Sequence, residues 1–251
     1  MSFGFRLLLP VLACALHASH PRLCWAVDAT PESLLKEAAS KIRNLDSYTV
    51  EFFRYDESDR TRSVHHDRIS FVRPFRFRIE DLAPSTETIR LADGKLISAP
   101  GCWRFTHLYS ANISWLYNED LKQYSKSAFD PRKEDPAVVF ALRIRDHLDE
   151  INLGPDETLS LGGRQYDCTV VRAHYRAGAY LTVWIDKLQG FVVKWTATTS
   201  QPQVRSVTVE LISIKANPAL PDDLFTFEPP AGWHQSSVFP CSAAWTSMQP
   251  M

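Results

Sequence analysis

Three adjacent residues, His65, His66 and Asp67, form the one local grouping in this chain whose types invite metal or acid–base chemistry. Two imidazoles and a carboxylate can share a metal ion or relay a proton when all three converge. Neighbours in an extended segment point to opposite sides, so the triplet is read as a solvated connection between strands. Asp56, Glu57 and Asp59 supply carboxylates but lack the alternating ligand spacing of a calcium loop, and read as a charged hairpin tip. There is no C-x-x-C and no Cys/His spacing typical of zinc. There is no G-x-S-x-G and no H-E-x-x-H, and the nine glycines build no phosphate loop. With no nucleophile or base beside an orienting partner, the expectation is a protein that is not an enzyme: no catalytic residue, no metal and no cofactor.

The residues that do stand out are aromatic and aliphatic, and several strands carry them on both faces. Phe52 opposes Phe53, Leu181 and Val183 oppose Tyr180 and Trp184, and Val193 and Trp195 oppose Val192. A sheet wetted on one side alternates more cleanly, so something must cover the second face. Either the sheet and its helices close into a packed sandwich, or an apolar cavity remains for a ligand.

The elements that must position these residues follow from their spacing. Thr30 caps a helix, Pro31 suits its first turn, and Leu34, Leu35, Ala38, Ala39 and Ile42 recur at helical period. "SYTVEFFRY" and "FRFRIEDL" alternate with period two, as strands do. "TETIRL" turns at Asp93-Gly94-Lys95, and "SWLYN" turns into "LKQYSKS". Asp135 and Pro136 can start a second helix, with Val138, Val139, Leu142, Leu148 and Ile151 as its apolar positions. "ETLSL" and "QYDCTVVRAHY" flank Gly162-Gly163, "AYLTVWID" turns through "KLQG" into "FVVKWTATT", and "VRSVTVELISIK" precedes "LFTFEPPAGW", read as a last strand stopped by Pro229 and Pro230. About ten strands in hairpin order with two helices make a mainly β (α+β) chain, one curled antiparallel sheet with helices on a face or mouth.

Lys plus Arg number 28 against 29 Asp plus Glu, a formal net charge of -1, so no bulk field recruits nucleic acid. Arg6, the apolar run from Leu7 to Leu16 and the small residues beyond it have the layout of a secretory signal over residues 1–29, with cleavage after Ala26 or Ala29. That run falls short of the roughly 20 residues that span a bilayer. The mature protein is expected to be exported, with a main domain over residues 30–235 and a tail over 236–251. Cys14 ends a loose lipobox, "VLAC", which makes lipid anchoring the alternative. Cys102, Cys168 and Cys241 remain, and any two could pair in an oxidising compartment.

Most of the mature chain resembles the periplasmic lipoprotein carriers of the LolA type. The resemblance lies in "LLKEAASKIRNLDSYTVEFF", the Arg-Pro of "VRPFRFRIE", the Asp-Gly-Lys turn with "WLYN", "TVWIDKLQGFVVKW", and above all "FTFEPPAG". It implies an incomplete antiparallel β-barrel covered by helices, whose apolar interior holds lipoprotein acyl chains or another lipid in the periplasm, with an inner-membrane donor and an outer-membrane acceptor as partners. By the same resemblance Arg73 ties the helical lid to the barrel. Candidate lining residues are Phe52, Phe77, Ile79, Trp115, Val183, Trp195 and Phe227, each large, apolar and mid-strand. A monomer is expected. Relatives of that fold include envelope sensors, so the alternative function is a scaffold that binds a protein regulator.

Overall fold

The computed structural model describes residues 29–91, 93–100, 104–110, 112–129, 148–175, 178–199 and 205–236. The expected leader, Cys14, Cys102, Cys241, the second-helix start at Asp135 and Pro136, and the tail beyond Ser236 lie outside these residues.

Helix α1 (Pro31–Arg43) forms as its spacing predicts. Thr30 Oγ1 accepts the Ser33 N–H at 3.2 Å, Glu32 sits in the first turn, and Lys41 and Arg43 sit in the last. Those charges complement the helix dipole. Leu34, Leu35, Ala38, Ala39 and Ile42 are buried as one stripe against the sheet.

Among the described residues fifteen strands make one sheet: β1 (Ser47–Ser58), β2 (Thr61–Val72), β3 (Arg76–Asp81), β4 (Thr86–Arg90), β5 (Leu96–Pro100), β6 (Thr106–Ser110), β7 (Ile113–Asn118), β8 (Gln123–Ala128), β9 (Leu148–Leu153), β10 (Glu157–Leu161), β11 (Arg164–Tyr175), β12 (Ala179–Asp186), β13 (Val192–Thr199), β14 (Arg205–Ala216) and β15 (His234–Gln235). The main path runs β10-β11-β12-β13-β14-β1-β2-β3-β6-β7-β8-β15, with β4 and β5 attached beside β2 and β9 beside β11. All pairs are antiparallel except β15 with β8. The sheet is open, and the pairing of β14 onto β1 joins the two halves of the chain.

Three expectations are corrected. His65-His66-Asp67 lies within β2, where ladder bonds to β1 and β3 hold it extended. Leu148 and Ile151 belong to β9 and not to a helix. β10 pairs only the first part of β11, and β9 satisfies backbone groups along the rest of that edge. The third correction concerns "LFTFEPPAGW". Asp222–Phe225 is a single 3₁₀ turn and residues 226–230 pair with no strand, Pro229 and Pro230 having no N–H to donate. Among the described residues α1 is the sole α-helix, so the helical cover over the sheet is a single layer element.

Candidate functional site

Residues in register share a face, and across β1, β2, β3 and β6 the face turned toward α1 reads as four rows. The first is aromatic: Tyr48, Phe71, Phe77, Tyr109. The second is Val50, Ile69, Ile79 and His107, the third Phe52, Asp67 and Asp81, and the fourth Arg54 and His65. Apolar packing therefore gives way to charge within one continuous wall.

The apolar rows are well packed. Tyr48 stacks on Phe71 at 4.9 Å and Phe77 on Tyr109 at 3.9 Å, with Phe129 edge-on to both Phe77 and Tyr109. Leu211 and Val209 of β14 continue the wall beside Phe52 and Arg54, followed by Trp195 on β13 and Val183 on β12. There α1 covers it, Leu34, Leu35 and Ala38 packing on Val171, Leu181, Val183, Ile185 and Val192.

Arg54, His65 and Asp67 in the ionic rows are as deeply placed, while Asp81 is half-buried. Arg54 is 1% exposed and Asp67 0%. Arg54 Nε lies 3.0 Å from Asp56 Oδ2 and Nη1 3.9 Å from Asp67 Oδ2, while His65 Nε2 lies 3.5 Å from the same Asp56 oxygen. Asp81 Oδ2 accepts the Phe105 N–H at 3.0 Å. Burial pushes Asp67 up to about 8, outweighing the Arg54 charge, with Asp81 and Asp56 adding repulsion. Burial likewise raises Asp81 and Asp56. His65 is held down to about 3 by burial and by Arg54, and His107 to about 4 by burial, so both imidazoles are neutral. The wall thus ends in one guanidinium among three carboxylates, two of which face each other.

His66 points the other way, 2.8 Å from Glu51 Oε1 and ring to ring with Phe53 at 4.8 Å. The triplet does not converge. Among the described residues no group of three or more His, Cys, Asp or Glu side chains is placed to hold a metal ion. Of the other outer aromatics, Trp184 donates Nε1–H to Glu157 at 2.9 Å and lies under Lys194, whereas Tyr180 stays 61% exposed. Two clefts are polar. One of about 250 Å³ is lined by Tyr55, Glu57, Arg62, Thr208 and Glu210, and one of about 160 Å³ includes Arg78, Asp81, Arg104 and Glu119. Cys168 is a buried free thiol among the described residues, and burial pushes it up to about 12.

The seven candidate lining residues fall in three places. Phe52, Phe77 and Ile79 sit together on the inner wall. Val183 lies under α1, and Trp195 bridges the two regions. Trp115 and Phe227 pack 5.4 Å apart in a separate cluster, where Phe227 stacks flat on Tyr117 at 4.0 Å and Phe225 is buried. Arg73 is exposed. Its Nε donates to Leu45 O at 2.8 Å and its backbone N–H to Asp46 O at 2.9 Å, in the turn that joins α1 to β1. The missed residues are Arg54, Asp56, His65, Asp67 and Asp81. Their signal was parity, since each continues an apolar face of its own strand.

No family model and no curated protein matches the chain. Among solved structures it is similar to an uncharacterized conserved protein from Thermus thermophilus (11% identity, TM-score 0.49, 80% of this chain and 96% of that one). It is also similar to the MucA/MucB complex of Pseudomonas aeruginosa (14%, 0.41, 80% and 62%). A LolA superfamily protein from Nitrosomonas europaea also stands among them (12%, 0.34, 79% and 98%). The architecture described above rests on this chain's own strand pairing. No helix among the described residues is long and apolar enough to cross a membrane.

Proposed function

We propose that this protein is a non-enzymatic periplasmic carrier that holds acyl chains, of lipoproteins or another lipid, between the inner wall of the sheet and α1. The observation that carries this reading is the continuous apolar wall from Phe77 to Val183, whose described helical cover is one helix of 13 residues. In this structure the wall's side chains are already buried, so a chain must enter by exchange. Leu34, Leu35 and Ile42 each contribute about 1.5–3 kcal/mol by burial, and an acyl chain returns roughly 0.8 kcal/mol per methylene. A chain of about ten methylenes therefore offsets lifting the helix stripe. Titrating a fluorescent acyl probe into the mature chain tests this. Saturable binding that Phe77→Glu and Val183→Glu abolish is expected, whereas no saturable binding by a folded protein rejects it.

The second reading is a scaffold for a protein regulator. It is favoured by the burial of the wall's side chains and by the polar character of both described clefts. Lipid extracted from gently purified protein separates the two readings, since only the carrier retains an amphiphile.

A further inference from the structure

The carrier reading leaves the ionic end of the wall unexplained. Charges cost several kcal/mol each to bury, and a wall that only received hydrocarbon would be better built from Val and Leu. Yet Arg54, His65, Asp67 and Asp81 occupy in-register positions that continue the apolar rows. From the aromatic row to the Asp67 row the wall runs about 13 Å along the strands, so hydrocarbon at one end and charge at the other lie within the length of one amphiphile.

Resting on the carrier reading, we propose that this end is a headgroup site, in which the Asp67 and Asp81 carboxylates take the ammonium group of an amphiphile whose chain lies along Phe52, Ile69 and Phe77. The sign of the charge selects this class. Arg54 is engaged by Asp56 at 3.0 Å, and its approach to Asp67 is longer, at 3.9 Å. Asp67 is fully buried; its side chain hydrogen-bonds to that of Asp81, and no nitrogen donor lies within hydrogen-bonding distance of either of its oxygens. An anionic head would meet two carboxylates beside a guanidinium already paired, whereas an ammonium brings three donors to a pair of groups that accept. The other titratable groups facing this point are Asp56 on β1, His65 on β2, Glu87 on β4 and His107 on β6. On β13 and β14, Trp195, Val207 and Val209 face it without charge.

The test compares dodecylammonium, dodecanol and dodecanoate as displacers of a fluorescent acyl probe from the wild-type mature chain. Dodecylammonium is expected to bind on the order of tenfold more tightly than the other two, the scale of one charge-assisted hydrogen bond. Its advantage should grow as pH rises through about 8, where Asp67 sheds its proton, while an alkylammonium stays charged to about 10. Asp67→Asn should reduce that advantage to the level of dodecanol. Equal affinity of all three probes overturns the headgroup site and leaves acyl carriage standing. Tighter dodecanoate overturns it in favour of Arg54, and retained ammonium preference in a folded Asp67→Asn overturns it as well. Failure of the acyl probe itself to bind removes the carrier reading and the headgroup site together. The wild-type comparison needs no variant, so it decides even if Asp67→Asn does not fold.

Discussion

Asp67 on β2 and Asp81 on β3 stand directly opposite each other in register, on the inner face of the sheet and next to a buried arginine. Two carboxylates so placed cannot both ionise cheaply, and the folded protein therefore keeps a proton that the unfolded chain releases. The folded Asp67 pKa is about 8 against 3.8 unfolded, so its contribution makes stability fall as pH rises across that interval. His65 and His107 act oppositely. Held neutral down to about 3 and 4, they make stability rise with pH up to 6.5, where the unfolded imidazoles lose their protons. Between 6.5 and about 8 the histidines are silent and the Asp67 effect stands uncovered. Thermal melts should show a falling Tm over that window, and Asp67→Asn should flatten it. A wild-type Tm that holds or climbs from pH 6.5 to 8 would show that the pair does not share a proton.

How much of this was legible in the sequence differs by element. Helix α1 was readable because cap, first-turn proline and apolar period agree, and the structure buries the same five side chains. Strand β2 was not, because His65 and Asp67 occupy buried positions where the alternation calls for apolar residues. A charge at a core position breaks the only signal a strand has. The Asp-Gly-Lys hairpin formed as β4 and β5, but the long interval between it and "WLYN" hid β6, which is short and mixed in polarity. "LFTFEPPAGW" was misread for the opposite reason. Its alternation is real, and Phe225 and Phe227 do pack on one side, but they do so without ladder bonds.

The β10–β11 turn offers a paired comparison. Gly162 has φ +54 and an added Cβ would sit 2.5 Å from the Ile212 carbonyl oxygen, whereas at Gly163, φ +76, nothing lies within 4 Å. Gly163→Ala should cost about 1–2 kcal/mol from the left-handed backbone alone. Gly162→Ala adds a backbone clash and should cost roughly 3–5 kcal/mol. Denaturant unfolding of both variants checks the order, and equal losses would mean that the turn does not press on β14.

The C-terminal segment is held chiefly by one ring. Phe227 stacks on Tyr117 with a 4° interplanar angle and meets Trp115 and Trp233 at 5.4 and 5.7 Å. Because Phe227 is only half-buried, Phe227→Ala should cost roughly 2–3 kcal/mol, below the range for a fully buried Phe. Quenching of tryptophan fluorescence by acrylamide should increase as Trp233 and Trp115 lose their cover. Unchanged quenching would place the anchoring at Phe225 instead.

Arg73 separates stability from motion. Its side chain is exposed and makes one hydrogen bond, to Leu45 O at 2.8 Å, with Phe71 beneath its guanidinium at 6.0 Å. Losing both should change stability by only about 1 kcal/mol, because an exposed carbonyl regains a water partner. Leu45, however, lies just beyond the end of α1, in the turn about which that helix would lift. Arg73→Leu should therefore leave the melt nearly unchanged while speeding amide hydrogen exchange in α1 and the release of a bound acyl probe. Arg73→Lys should behave like Arg73→Leu, since an ammonium on a flexible stem lacks the fixed Nε–H that meets this carbonyl. If both variants exchange and release at the wild-type rate, Arg73 is a surface residue of the turn and the helix is held by its apolar stripe and by Lys41, which donates to Gln189 O at 2.8 Å.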